Sequence, residues 1–241
     1  MQYGASSDVG KKRKINEDSY YIETETENPY IIVADGMGGH MAGEVASRMA
    51  VDIISNHIAK YLVEGLDYVE AAEVIRRAFL SANTIIYDYS AQHYKVMGMG
   101  TTATLSMIYG EKLLTVHVGD SRSYAVSGDK IRQITRDHSY VQELVAMGRL
   151  TPQEAKNSPN RNFITRAMGA EEKVKPDVFI EPYSGEKLLL CSDGLTNFVE
   201  DEELLEILNK DNDLQRAADA MIALANERGG LDNITAAVMA R

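Results

Sequence analysis

Apolar residues along this chain fall into short runs broken by polar turns, joined by a few longer stretches with three- and four-residue spacing. Residues 19–22, 30–34, 102–108, 112–118 and 123–126 are rich in Ile, Val, Leu, Thr and Tyr. Gly, Asp, Asn or Glu bounds them, which predicts strands. Residues 178–180, 187–191 and 234–239 repeat the pattern nearer the carboxyl end. Two helical patterns sit consecutively between Gly43 and Tyr89. In the second, Ile75, Ala78, Phe79, Ala82, Ile85, Ile86 and Tyr89 are spaced to form one apolar face. A third runs over residues 214–226, with Asp213 as N-cap and Gly229-Gly230 as its stop. Strands and paired helices without regular alternation predict α+β layers around mainly antiparallel sheet.

Residues 136–169 depart from this pattern. They hold few β-branched residues and two short helical pieces, the second opening on the capping box Thr151-Pro152-Gln153-Glu154. Such a polar insertion reads either as a flap facing substrate or as a plain surface loop. No repeat, low-complexity tract or linker interrupts the 241 residues, so a single domain is expected over 1–241.

Composition narrows the function. The net charge of −11 opposes a nucleic-acid or anionic-membrane surface. No apolar run approaches the roughly 18 residues of a membrane span, and residues 1–10 lack the apolar stretch of a signal peptide. A cytoplasmic protein is expected. A lone cysteine, Cys191, excludes an intrachain disulfide and a thiolate zinc site. The five histidines show no short paired spacing, no arginine follows Cys191 as a thiol phosphatase would need, and no Gly-x-Ser-x-Gly elbow is present. Gly36-Met37-Gly38-Gly39 lacks the lysine and spacing of a nucleotide loop.

The candidate chemistry lies where aspartates meet strand ends. Three apolar runs end at Asp35-Gly36, Gly119-Asp120 and Asp193-Gly194, while Asp232-Asn233 opens the last one. In antiparallel sheets the start of one strand lies beside the end of its neighbour, so the four carboxylates can gather at one edge. Like charges so placed require a cation, and all-oxygen ligation suits Mg²⁺ or Mn²⁺. Arg13, followed by Asn16-Glu17-Asp18, supplies a guanidinium fork suited to phosphate.

With these residues in place, the chain resembles the metal-dependent Ser/Thr protein phosphatases of the 2C type in their compact bacterial form. The ordered set spans essentially the whole chain. It comprises Arg13-x-x-Asn16-Glu17-Asp18, Ala34-Asp35-Gly36-Met37-Gly38-Gly39-His40, Gly100-Thr101-Thr102 and Val118-Gly119-Asp120-Ser121-Arg122. It continues with Thr165-Arg166-Ala167-Met168-Gly169, Ser192-Asp193-Gly194 and Asp232-Asn233-Ile234-Thr235.

The resemblance implies a four-layer α/β/β/α sandwich of two mainly antiparallel sheets flanked by helices, with residues 136–169 as a flap. It further implies two core Mn²⁺ or Mg²⁺ ions bridged by Asp35, the Gly36 carbonyl completing one site and Asp193 and Asp232 the other. Glu17 and Asp18 match positions that hold metal-bound water. Asp120 with Asp193 matches a third, weaker site, and Arg13 matches the phosphate-binding arginine. The implied reaction is direct attack of a metal-activated water on phosphoserine or phosphothreonine. The implied setting is a monomer acting on phosphorylated proteins and opposing a bacterial Ser/Thr kinase. Met37 departs from the pattern of eukaryotic relatives, which place a histidine there to protonate the leaving group; His40 is a candidate substitute. A non-catalytic phosphoprotein-binding module and a phosphatase for small esters are the alternatives.

Overall fold

The computed structural model describes residues 1–38, 42–210 and 212–241. Its elements begin with β1 (Gln2–Asp8), β2 (Asp18–Glu23), β3 (Tyr30–Met37), α1 (Ala42–Tyr61) and α2 (Tyr68–Gln92). The strands β4 (Gly100–Thr101), β5 (Ala103–Tyr109), β6 (Lys112–Val118), β7 (Arg122–Ser127) and β8 (Lys130–Gln133) follow. After α3 (Tyr140–Ala146) and α4 (Pro152–Lys156) come β9 (Asp177–Pro182) and β10 (Lys187–Cys191). The chain closes with α5 (Asp193–Thr196), α6 (Asp201–Lys210), α7 (Leu214–Glu227) and β11 (Ile234–Ala240).

The strands form two antiparallel sheets, one in the order β1-β11-β10-β7-β8 and the other β2-β3-β5-β6-β9 with β4 paired to β3. Each sheet is buried on both faces. Ile31 and Val33 of β3 meet Leu188 and Leu190 of β10 and Ala237 and Met239 of β11 between the sheets. The alternate residues Ile32 and Ala34 face α1 and α2, and Leu189, Cys191, Ala236 and Val238 face α6 and α7. This two-sided burial is why the strands read as unbroken apolar runs. The result is the expected α/β/β/α order of layers.

On α2, Ile75, Ala78, Phe79, Ala82 and Ile86 are fully buried, whereas Ile85 and Tyr89 are 44% and 38% exposed. The apolar face is therefore narrower than the spacing predicts, and Tyr89 stacks on His93 instead. Helix α7 starts on Asp213, whose carboxylate accepts from the Gln215 and Arg216 N–H groups, and stops before Gly229-Gly230. Five elements escape the sequence pattern: β1, β4, β8, α5 and α6.

Residues 136–169 carry α3 and α4, with the Thr151/Glu154 capping box formed. Main-chain bridges Ser139–Ile164 and Thr101–Met168 close the base of this segment. A Lys156–Glu200 ion pair ties its outer part to the turn before α6. No helix of the described residues is long and apolar enough to cross a membrane.

Candidate active site

Strand register draws the flagged carboxylates together. Asp18 and Asp35 are direct cross-strand neighbours on β2 and β3. Strands β10 and β11 pair up to Cys191 opposite Ala236, and the Ser192 N–H still donates to the Thr235 carbonyl at 3.1 Å. Asp193, on the first turn of α5, consequently lies beside the Asp232-Asn233 entry to β11. The approach is so close that a Cβ on Gly194 would sit 1.9 Å from the Asn233 carbonyl oxygen. Asp120 follows β6 after Gly119, whose φ of +112° turns the chain.

Hydrogen bonds fix these positions. Ser192 Oγ and Thr235 Oγ1, both from the first sheet, donate to Asp18 Oδ2 of the second at 2.7 and 2.6 Å. Asp18 thereby stitches the two sheets at the site. Asn233 Nδ2 donates to the carbonyls of Val9 and Ile15, and its Oδ1 accepts from the Glu17 N–H. One side chain thus pins the whole segment that carries Arg13 and Glu17. Thr102 Oγ1 accepts from the Asp35 N–H, and Thr101 Oγ1 donates to the Asp35 carbonyl, both at 2.9 Å. Glu17 Oε1 accepts from the Gly43 N–H at the start of α1.

The electrostatics are those of crowded anions. Desolvation, and then the charges of Asp193 and Asp232, push Asp18 up to about 7. Desolvation raises Asp35 well above the usual carboxylate range, helped by Asp18, Asp193, Asp120 and Asp232. Asp120 and Asp193 are raised for the same first reason, reinforced by Asp193 and Asp232 respectively. Asp18 Oδ1 and Asp120 Oδ1 are buried with no hydrogen-bond partner among the described residues. A buried acceptor without a donor is costly, and hard oxygen donors in this number are the coordination that Mg²⁺ or Mn²⁺ takes. The residues therefore fit divalent cations.

Two expectations change in detail. Among the described residues no three Asp, Glu, His or Cys side chains converge tightly enough to clasp an ion in this conformation. Asp232 is turned outward, with Arg13 Nη2 donating to its Oδ2 at 2.8 Å. Arg13 is thus engaged with an expected metal ligand rather than left open for phosphate. Met37 ends β3 opposite Gly100, and His40 lies outside the described residues. The Gly36 N–H donates to the Glu17 carbonyl, seating that glycine beside the cluster.

The sequence pattern does not assign the positioning roles of Ser192, Thr235, Asn233 and Thr102; Ser192 and Asn233 adjoin flagged aspartates, whereas Thr102 and Thr235 reach theirs only in the fold. It also missed a buried histidine pair. His117 and His138, 21 positions apart in the chain, have ring centroids 4.7 Å apart beneath the base of residues 136–169. His138 Nδ1 accepts from the Gly119 N–H, so Nε2 carries the proton toward Asp177. Cys191 is buried under α6 and α7, where desolvation lifts its thiol to about 12.

Carboxylates from two antiparallel sheets, gathered under a guanidinium, define a hydrolase of phosphate esters that works with bound cations. The sequence matches the Protein phosphatase 2C family over residues 10–236. It is 40% identical over 237 residues to the serine/threonine phosphatase stp of Listeria innocua, covering 98% of this chain and 94% of that one. The crystal structure of the serine/threonine phosphatase Stp1 from Staphylococcus aureus superposes with a TM-score of 0.92 at 35% identity, covering 99% and 94% of the two chains. The catalytic domain of the serine/threonine protein phosphatase PstP, in complex with two manganese ions, superposes at 0.83 with 36% identity, covering 98% and 96%. The chain belongs to the protein phosphatase 2C family and is an enzyme of that metal-dependent type.

Proposed function

We propose that this enzyme removes phosphate from phosphoserine and phosphothreonine in proteins at a dinuclear Mn²⁺ or Mg²⁺ centre. Asp35, the Gly36 carbonyl, Asp193 and Asp232 would hold the two ions. Glu17 and Asp18 would hold water around them, and Asp120 with Asp193 would take a third, weaker ion. The observation that carries this reading is the cluster of Asp18, Asp35, Asp120 and Asp193, each raised first by desolvation and then by its neighbours, two of them with buried oxygens that find no partner among the described residues.

When bound, the cations lower the pKa of a water and polarise the phosphoryl oxygens. Arg13, on the rim of the cluster, offers its planar fork to two phosphoryl oxygens once it leaves Asp232. Ser192 and Thr235 keep Asp18 in one orientation, and the paired threonines keep Asp35 in place, so the cluster is preorganised before substrate arrives. Asn233 holds the Arg13 segment against the same site. Met37 has no proton to give, which leaves the leaving-group oxygen to be protonated by solvent or by His40.

The reading extends to one phosphatase domain over 1–241 with residues 136–169 as its flap, working as a cytoplasmic monomer against a bacterial Ser/Thr kinase. Its similarity to serine/threonine phosphatases of Listeria innocua and Staphylococcus aureus supports the bacterial part of that setting. The deciding experiment is hydrolysis of a phosphothreonine peptide with Mn²⁺, with excess chelator, and by Asp193→Ala in Mn²⁺. Turnover by the wild type that is lost in both other arms is expected. A wild type silent with Mn²⁺ and Mg²⁺ would favour the phosphoprotein-binding module instead.

A further inference from the structure

Between residues 139–162 and the sandwich lies a cavity of about 400 Å³ whose floor includes Asp120 and Asp193. It is therefore continuous with the carboxylate cluster. The flap side contributes Gln142, Gln153, Asn157, Arg161 and Asn162, and the sandwich side contributes Gln133 and Asn197. Six of the lining side chains are Asn or Gln.

Charge does not explain this lining. Arg122 is committed to Asp137 through Nε and Nη2, and Lys156 to Glu200. Five carboxylates line the cavity against three cations, which disfavours a second anion. An apolar ligand is equally poorly served, because Val141, Ala155 and Val199 are its main greasy members. What remains is a set of neutral amides; Gln133, Asn157 and Asn197 already donate to Asp137, the main-chain carbonyl of Gln153 and Asp193, while Gln142, Gln153 and Asn162 each keep a carbonyl acceptor and an NH₂ donor. The side chains of Gln142, Gln153 and Asn162 make no hydrogen bond among the described residues.

The chemical complement of such a wall is the peptide group, with one N–H and one C=O per residue. We infer that this cleft is a subsite for the extended main chain flanking the phosphorylated residue of a protein substrate, gripped by side-chain amides rather than by charged or apolar anchors. The inference rests on the phosphatase reading above. It makes recognition tolerant of flanking sequence, because every residue presents the same backbone groups. It also makes a polypeptide a better substrate than a small ester, although both meet the same cluster.

The test compares a phosphothreonine heptapeptide, the same peptide with N-methylated residues on both sides of the phosphothreonine, and p-nitrophenyl phosphate, all in Mn²⁺. For the wild type, methylation should raise KM about fivefold, the worth of one or two hydrogen bonds, with kcat little changed. Gln142→Ala/Asn162→Ala should raise KM for the unmethylated peptide by a similar factor and become insensitive to methylation. Its KM for p-nitrophenyl phosphate should move less than about twofold, since that ester has no main chain to lose. Equal effects on peptide and small ester, or a wild type indifferent to methylation, would overturn the inference. Chelator-sensitive hydrolysis of p-nitrophenyl phosphate would stand in either case, so failure of the subsite is separable from failure of the phosphatase reading.

Discussion

At Asp193 a single side chain serves two opposed ends. Its carboxylate is raised by burial and by Asp232, with Asn197 Nδ2 donating to Oδ2 at 2.9 Å as partial relief. Without cations, the ionised cluster costs stability; with them, it is the source of binding. Asp193→Asn keeps the Asn197 contact and removes one charge. In chelator it should unfold at a higher temperature than wild type, by about 1 kcal/mol in stability. In Mn²⁺ the order should reverse, because saturation at about 100 times Kd adds about 2.7 kcal/mol only where the site is intact. Calorimetry with and without the metal checks both halves, and turnover of the variant should fall at least about 100-fold. Asn233 is the residue of greatest structural leverage nearby. Asn233→Ala leaves the Glu17 N–H and the Val9 and Ile15 carbonyls without their partner, and urea titration should show a loss of about 2–3 kcal/mol.

Among elements, the α5–β11 junction sets the spacing of the site. A methyl group on residue 194 would overlap the Asn233 carbonyl at 1.9 Å, and that neighbour is main chain, so it cannot swing aside. Gly194→Ala should cost at least about 3 kcal/mol in urea and abolish turnover even where the fold survives, since Asp193 and Asp232 are then forced apart. Elements like β3 and β10 were legible because two-sided burial writes itself as continuous Ile, Val and Leu. Strand β1 was not, for Gly4, Ala5, Ser6 and Ser7 carry no apolar alternation and pair with β11 along its whole length through main-chain bonds. Helix α6 hid behind its acidic opening, with Leu204 and Leu208 as its only fully buried residues. The site divides in the same way. Aspartates at strand ends can be read from order alone, whereas Thr235 reaching Asp18 across 217 positions exists only once two sheets meet. Likewise Arg13 and Asp232, read as separate roles, share one ion pair.

For the molecule as a whole, acid tolerance is set partly by a histidine remote from the surface. The Thr104 hydroxyl donates to the Ser121 carbonyl, so His117 Nδ1–H donates to Thr104 Oγ1. Desolvation, and then His138, lower His117 to about 3. A base lowered on folding binds more protons when unfolded, so its contribution is lost as pH falls below the unfolded value of about 6.5 and continues to be lost down to about 3. Each unit of acidification in that window costs up to about 1.4 kcal/mol. Unfolding free energies from urea titration should therefore decline more steeply toward pH 4.5 in the wild type than in His117→Phe, by about 1 kcal/mol per unit. Parallel curves would place the acid sensitivity elsewhere.

The sealed position of Cys191 has a consequence for how such an enzyme ages under oxidants. A thiol that ionises near 12, with no exposure to solvent, offers almost no thiolate at neutral pH to peroxide or to an alkylating reagent. A phosphatase whose nucleophile is a cysteine stalls in such conditions, while the single cysteine of this one is sealed from solvent. Iodoacetamide should label the native protein only at the rate of its unfolding, and so report, one molecule at a time, how often the layer of α6 and α7 lifts off the sheet beneath it.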